Sequence, residues 1–208
     1  MPRMRVTLDS VTCRDTEDVT GADELYLVGA VTAGDEASTR AILTRPLSID
    51  NGQTSKFGEG GGTVFDAHVE DGRLLKIAFA AMDEDAGKDW ARREELITKV
   101  TKNVSDGLRA SGNPQAVAAA QVLPLAVQGL GLAVQLDADD ELGQHLYEYP
   151  VGVRATVVST QSVPFQKTTG RWGWSTWQYT VTYHIVTGDV DLEWWLAERA
   201  RRRREAGF

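Results

Sequence analysis

Cysteine is nearly absent. Cys13 is the only one among 208 residues, which excludes an intrachain disulfide and every multi-cysteine zinc site and suits a reducing compartment. Long apolar runs are missing too: no stretch reaches the roughly 18 to 20 apolar residues of a membrane span. The opening Met-Pro-Arg-Met-Arg-Val-Thr-Leu-Asp-Ser carries no apolar core of signal-peptide length. The expectation is a soluble, cytoplasmic chain. Basic charge is in deficit, with 22 Lys and Arg against 30 Asp and Glu, a net charge of -8. Unaided attraction to nucleic acid or to an anionic bilayer is therefore disfavoured, and nucleic acid is not an expected partner. Histidine is scarce, and His68, His145 and His184 form no ligand-spaced pair, which argues against zinc. No Gly-x-Ser-x-Gly elbow is present, and Cys13 has no adjacent base. The glycine run Gly58-Glu59-Gly60-Gly61-Gly62 lacks a following Lys-Ser or Lys-Thr and so is not a phosphate-binding loop. Nothing here forms a catalytic constellation.

What is present is the composition of a folded globular protein, 42% hydrophobic and 25% charged. Up to about Met82 the apolar pattern is that of strands, with Arg5 to Cys13, Leu25 to Val31, Thr39 to Ile49 and Leu74 to Ala81 the candidates. Between Ile49 and Val64 the Gly, Ser, Thr and Asn content favours loop. The period then changes. Leu96, Val100, Val104 and Leu108 recur every four residues, as an amphipathic helix requires, with Asp89 a candidate cap and Gly107 or Gly112 a candidate end. Asn113-Pro114 signals a second helix through the alanine-rich run to Gln121, which Pro124 is expected to break or kink. Strand chemistry returns at Val151 to Val158. From Trp177 to Ile185 the odd residues Trp177, Tyr179, Val181, Tyr183 and Ile185 alternate with polar ones, predicting one buried face. Asp189 and Asp191 open a last helix that ends in the arginines 201 to 204. The predicted organisation is a single β-sandwich over 1–188, interrupted by a helical insertion at about 89–123 and followed by a C-terminal helix at 189–208.

Acid is concentrated in three windows: Asp15, Glu17, Asp18, Asp23 and Glu24; Asp83, Glu84, Asp85 and Asp89; and Asp137, Asp139, Asp140 and Glu141. Each borders a predicted strand, so in one sandwich the three loops can emerge at the same end. Converging carboxylates a few ångströms apart repel by roughly 4 kcal/mol per pair at an effective dielectric of about 20, so such a cluster calls for protons or a hard cation. Calcium, with six to eight oxygen ligands, suits many acids better than magnesium, which keeps its waters. The competing reading is that these are turn residues and solvated surface.

In this arrangement the chain resembles the C2 domain, a Ca2+-binding sandwich of eight strands with acidic loops at one end. Asp18-Val19-Thr20-Gly21-Ala22-Asp23-Glu24-Leu25-Tyr26 is similar to that family's first loop, although Glu24 stands where it has proline and the spacing from Asp18 to Asp23 is a residue short. The family's Asp-x-Asp loop is similar to Asp83-Glu84-Asp85 and to Asp137-Ala138-Asp139-Asp140-Glu141-Leu142-Gly143. The resemblance implies a calcium-binding module with Asp23 and Asp137 as the leading ligands, then Asp18, Asp83, Asp85 and Asp139. It also implies weak Ca2+-dependent recruitment to a membrane surface, or a protein partner. An EF-hand counted from Asp83 places Asp85, Asp89 and Glu94 at positions 3, 7 and 12 but puts Gly87 at 5 instead of 6. Two other readings stay open. One is a metal-independent assembly subunit that uses Trp172, Trp174 and the arginine-rich helix as contacts, and the other is a metal-dependent hydrolase built on the same acids.

Overall fold

The computed structural model describes residues 1–16, 23–58, 62–83, 93–129, 141–152, 157–169 and 175–205. Two antiparallel sheets pack face to face. The first has β1 (Arg3–Asp15), β5 (Thr54–Lys56), β6 (Gly62–His68), β9 (Val158–Thr169) and β10 (Ser175–Thr187) in the order β5-β1-β10-β9, with β6 also on β1. The second has β2 (Asp23–Thr32), β3 (Thr39–Leu43), β4 (Leu47–Ile49), β7 (Leu74–Asp83) and β8 (Glu141–Pro150) in the order β3-β2-β7-β8, with β4 also on β2.

The two short pairs are each one interrupted strand. β5 meets β1 at Ser10 to Thr12 and β6 continues along the same edge from Leu8 to Arg3. β3 and β4 do the same along β2, from Thr32 to Val28 and then from Leu25 to Asp23. The break between β3 and β4 falls at Thr44-Arg45-Pro46, because proline has no N–H to give a ladder. Counted this way, the described residues form two four-stranded sheets. The stretch from Ile49 to Val64, expected to be loop, contains β5 and the start of β6. Its polar residues pair at a sheet edge, where burial demands little hydrophobicity.

The inner faces follow the residue alternation. Met4, Val6 and Leu8 point into the core on even positions and Val11 and Cys13 on odd ones, the switch coinciding with a bulge between Leu8 and Ser10 opposite β10. Trp177, Tyr179, Val181, Tyr183 and Ile185 are buried as their period predicts. Strands β2 and β7 are buried on both faces, which explains their continuous apolar runs. Leu25, Leu27, Val31, Ile77 and Phe79 fill the sandwich, while Tyr26, Val28, Ala30, Ala78, Ala80 and Met82 meet the helices. At Gly29 the strands are so close that a Cβ would lie 2.0 Å from the Ala78 carbonyl oxygen, so only glycine fits.

The helical insertion lies between β7 and β8. Helix α1 (Arg93–Ala110) buries Val100, Val104 and Leu108 against the second sheet, and Gly112, at a positive φ of 72°, follows its end. Gly107 is inside the helix instead, where it admits Leu125. Asn113-Pro114 opens only a single 3-10 turn, Pro114–Ala116, and α2 (Ala119–Gly129) begins after it and runs through Pro124. Pro124, the sixth residue of α2, has no N–H and so forfeits one backbone hydrogen bond of the helix. The helices therefore extend past the expected boundary near 123. Lys76, 1% exposed on the helix-facing side of β7, donates from Nζ to the carbonyls of Pro114 (3.2 Å) and Gln115 (3.0 Å). Opposite it in register, Glu148 accepts from the Ala119 N–H at 2.8 Å and so caps α2. This cross-strand pair ties the insertion to the sheet.

Val151 to Val158, expected as a strand, instead contains a turn at Val151-Gly152, with the strand β9 starting only at Val158. Helix α3 (Leu192–Glu205) starts where Asp191 Oδ1 accepts from the Trp194 N–H at 3.0 Å, and it lies on the outer face of the first sheet. Among the described residues, no helix is long and apolar enough to cross a membrane.

Candidate functional site

Register decides which strand ends lie together. In the second sheet, Leu25 of β2 faces Asp83 of β7, and Met82 faces Glu141 of β8. The start of β2, the end of β7 and the start of β8 thus share one end. In the first sheet, Asp15 at the end of β1 faces Gln178, and Ser175 faces Thr169, so the connection carrying Trp172 and Trp174 leaves from the matching end of β10 and β9. β1 of the first sheet ends at Asp15 and β2 of the second begins at Asp23, so the chain passes between the sheets at this end. All three acidic windows consequently attach to a single end of the sandwich.

Within the windows, Asp23 is the first residue of β2 and Asp83 the last of β7, two register positions apart on adjacent strands. Asp18, Asp85, Asp137 and Asp139 lie outside the described residues, as do Asp89, Trp172 and Trp174. Glu141, assigned to an acidic loop by its sequence, begins β8. Among the described residues, no three His, Cys, Asp or Glu side chains are grouped so as to hold a metal ion.

The turn from β4 to β5 belongs to this end and was not anticipated as part of it. Asn51 Oδ1 accepts from the Thr16 N–H at 2.7 Å, and the Gly52 N–H donates to the Cys13 carbonyl at 3.1 Å, so the turn braces the end of β1 where the first acidic window begins. Asp50 beside it is exposed. The Asn51-Gly52 dipeptide after an apolar strand was the available signal, being a strong hairpin indicator. No family model matches this chain, and no curated protein matches it.

The histidines are engaged elsewhere. His68 pairs with Arg3 at the opposite end of β1. His145 sits between the sheets with its Nε2 2.8 Å from the Tyr183 hydroxyl, its ring 5.0 Å from that of Phe79 and stacked on Tyr147. Burial lowers its pKa to about 4 and pushes the Tyr183 hydroxyl up. His184 lies on the outer face of the first sheet under α3. Nitrogen ligands thus do not converge on the acidic end.

A separate cavity of about 430 Å³ opens between the interrupted edges of the two sheets and α1, with Leu8, Leu43, Phe57 and Ile97 inside and Arg40 and Arg45 beside them. It shares no residue with the acidic windows.

Proposed function

We propose that the chain is a calcium-binding module of the C2-like kind, serving as a binding or structural component, with Ca2+ held by the acidic loops at one end of the sandwich. The observation that carries this reading is the strand register that gathers the borders of all three acidic windows at that end. The eight-strand organisation of the described residues supports it. Asp23 and Asp83, on neighbouring strands, are the inner ligands from the described part of the chain, and Asp18, Asp85, Asp137 and Asp139 supply the remaining carboxylates. A bound ion relieves their mutual repulsion and presents positive charge to an anionic partner, either a protein or, weakly, a membrane surface.

Calorimetric titration of single Asp to Asn variants tests the ligand set, since the change keeps shape and removes charge. Asp23→Asn and Asp137→Asn are each expected to weaken calcium binding markedly while leaving the calcium-free fold as stable or slightly more so. Unaltered affinity in both means that the ligands are elsewhere. Loss in Asp83→Asn alone assigns a local site at the end of β7.

A second reading, metal-independent assembly through α3, is favoured by one observation. Trp194 is 63% exposed on a helix that ends in arginines. It predicts self-association or partner binding that chelator leaves unchanged and that Trp194→Ala weakens.

A further inference from the structure

Arg5, Thr160 and His184, which point away from the core of the first sheet, lie against α3 or the residues just before it. Arg5 of β1 donates to the carbonyl of Val190 just ahead of that helix. Leu196, Arg199, Ala200 and Arg203, spaced to share one helix face, form with Thr160 and His184 a cleft of about 310 Å³.

Two features of this cleft are unusual for a surface helix lying on a sheet. The first is His184, 3% exposed, whose Nδ1 lies 3.0 Å from the Thr160 hydroxyl and whose buried Nε2 has no partner among the described residues. Buried polar atoms are normally satisfied, so a nitrogen left over beside a cleft implies a missing group. The second is the state of the arginines. Arg201 and Arg202 are paired with Glu198, and Arg201 also with Glu205. Arg199 and Arg203 have no carboxylate partner among the described residues, and Arg199 lies over the Trp195 ring, 5.2 Å from its centroid. Burial, the largest influence on His184, holds the ring toward its neutral form. The Asp9 charge opposes this and the Arg199 charge reinforces it.

We propose that this cleft binds a phosphate-monoester-type oxyanion, held by the Nε2–H of His184 and the guanidinium groups of Arg199 and Arg203. Thr160 is a positioning residue: its hydroxyl donates to Nδ1 and so keeps the proton on Nε2, facing the anion. Two guanidinium forks and a ring N–H, coming from a helix and a strand, match a tetrahedral dianion, whereas a single carboxylate is satisfied by one fork. Two arginines on a chain of net charge -8 are too few for a nucleic-acid backbone.

The full chain, titrated calorimetrically with inorganic phosphate in the presence of chelator, is expected to bind with a Kd of about 1 mM or tighter. Arg203→Gln should weaken this about tenfold or more, while Arg204→Gln, which removes the same charge outside the cleft, changes it less than about twofold. On phosphate addition the His184 Nε2 resonance should shift with its proton retained. Sedimentation with phosphatidic-acid vesicles that phosphate competes away assigns the anion to a lipid headgroup, and phosphate binding without sedimentation assigns a soluble phosphate compound. No binding up to roughly 10 mM phosphate, equal losses in Arg203→Gln and Arg204→Gln, or vesicle binding indifferent to phosphate each overturns the proposal.

Discussion

His145 makes the fold sensitive to acid, and the size of the effect follows from its place between the sheets. Burial holds the ring at about 4, against an ordinary value of 6.5. Between those values the unfolded chain binds the proton and the folded chain does not, so the stability contributed by a neutral His145 is intact above pH 6.5 and is lost as pH falls toward 4. The whole gap corresponds to about 3 kcal/mol before screening, and the partial exposure of the ring to solvent reduces the part lost by about pH 4.5 to about 2 kcal/mol. This is a large part of the 5 to 15 kcal/mol or so that stabilises a typical domain. His145→Gln keeps a hydrogen-bonding group facing the Tyr183 hydroxyl but does not titrate. Urea unfolding of both proteins from about pH 7.5 to about pH 4.5 should show the wild-type advantage shrinking by about 2 kcal/mol. His184 is lowered in the same direction, but it is present in both proteins and cancels. Asp66, lowered chiefly by its hydrogen bond from Arg3, loses its contribution only as pH falls through the acid side of 3.8, below the window. Parallel stability curves for the two proteins would refute the assignment of the acid sensitivity to His145.

Three other outcomes test the packing and the site. Gly29→Ala places a methyl group against the Ala78 carbonyl and should cost about 3 kcal/mol or more in chemical denaturation, and a near-neutral result would mean the two strands are not held this close. Lys76→Met removes the donor shared by the Pro114 and Gln115 carbonyls, a loss of about 2 kcal/mol after relief of the buried charge; hydrogen exchange should speed up in α2 well before β10, and uniform acceleration would argue against a local anchor. Asp23→Asn should weaken calcium binding without lowering the calcium-free melting temperature, and a loss of fold stability instead would make Asp23 a structural strand-end residue.

The sandwich was legible wherever burial is one-sided or complete. In β10 a period of two marks the core face residue by residue, and in β2 and β7 unbroken apolar runs mark burial on both faces. The edges were legible only in part: Thr39 to Ile49 reads as a strand and contains β3 and β4, but two other edges do not show. Thr54–Lys56 and Val158–Thr169 are polar because an edge strand needs ladder partners more than hydrophobic ones, and Val151 to Val158, apolar enough to suggest a strand, bends at Gly152 with φ of 77°. Helix α1 declared itself by a four-residue repeat, but α2 was displaced because Pro114 starts only a 3-10 turn and Lys76 holds that turn's carbonyls. Such a long-range contact has no local signature. The same is true of His184. It stands at a polar position of an alternating strand, and only the later packing of α3 buries it. For the candidate site, the clustering of acid was visible as composition and the strand register supplied the shared end, whereas the Asn51 brace needed the fold to bring residues 16 and 51 together.

The most direct measurement is the melting temperature of the full chain in calcium and in chelator. An ion bound only by the folded state stabilises it by about 2.7 kcal/mol at a hundredfold excess over Kd. For a chain of this size that corresponds to a rise of about 5 to 10 °C. Millimolar calcium is expected to give such a rise, magnesium little of it, and chelator full reversal. Identical melting in calcium and chelator would contradict the calcium reading and leave the acidic windows as solvated loops.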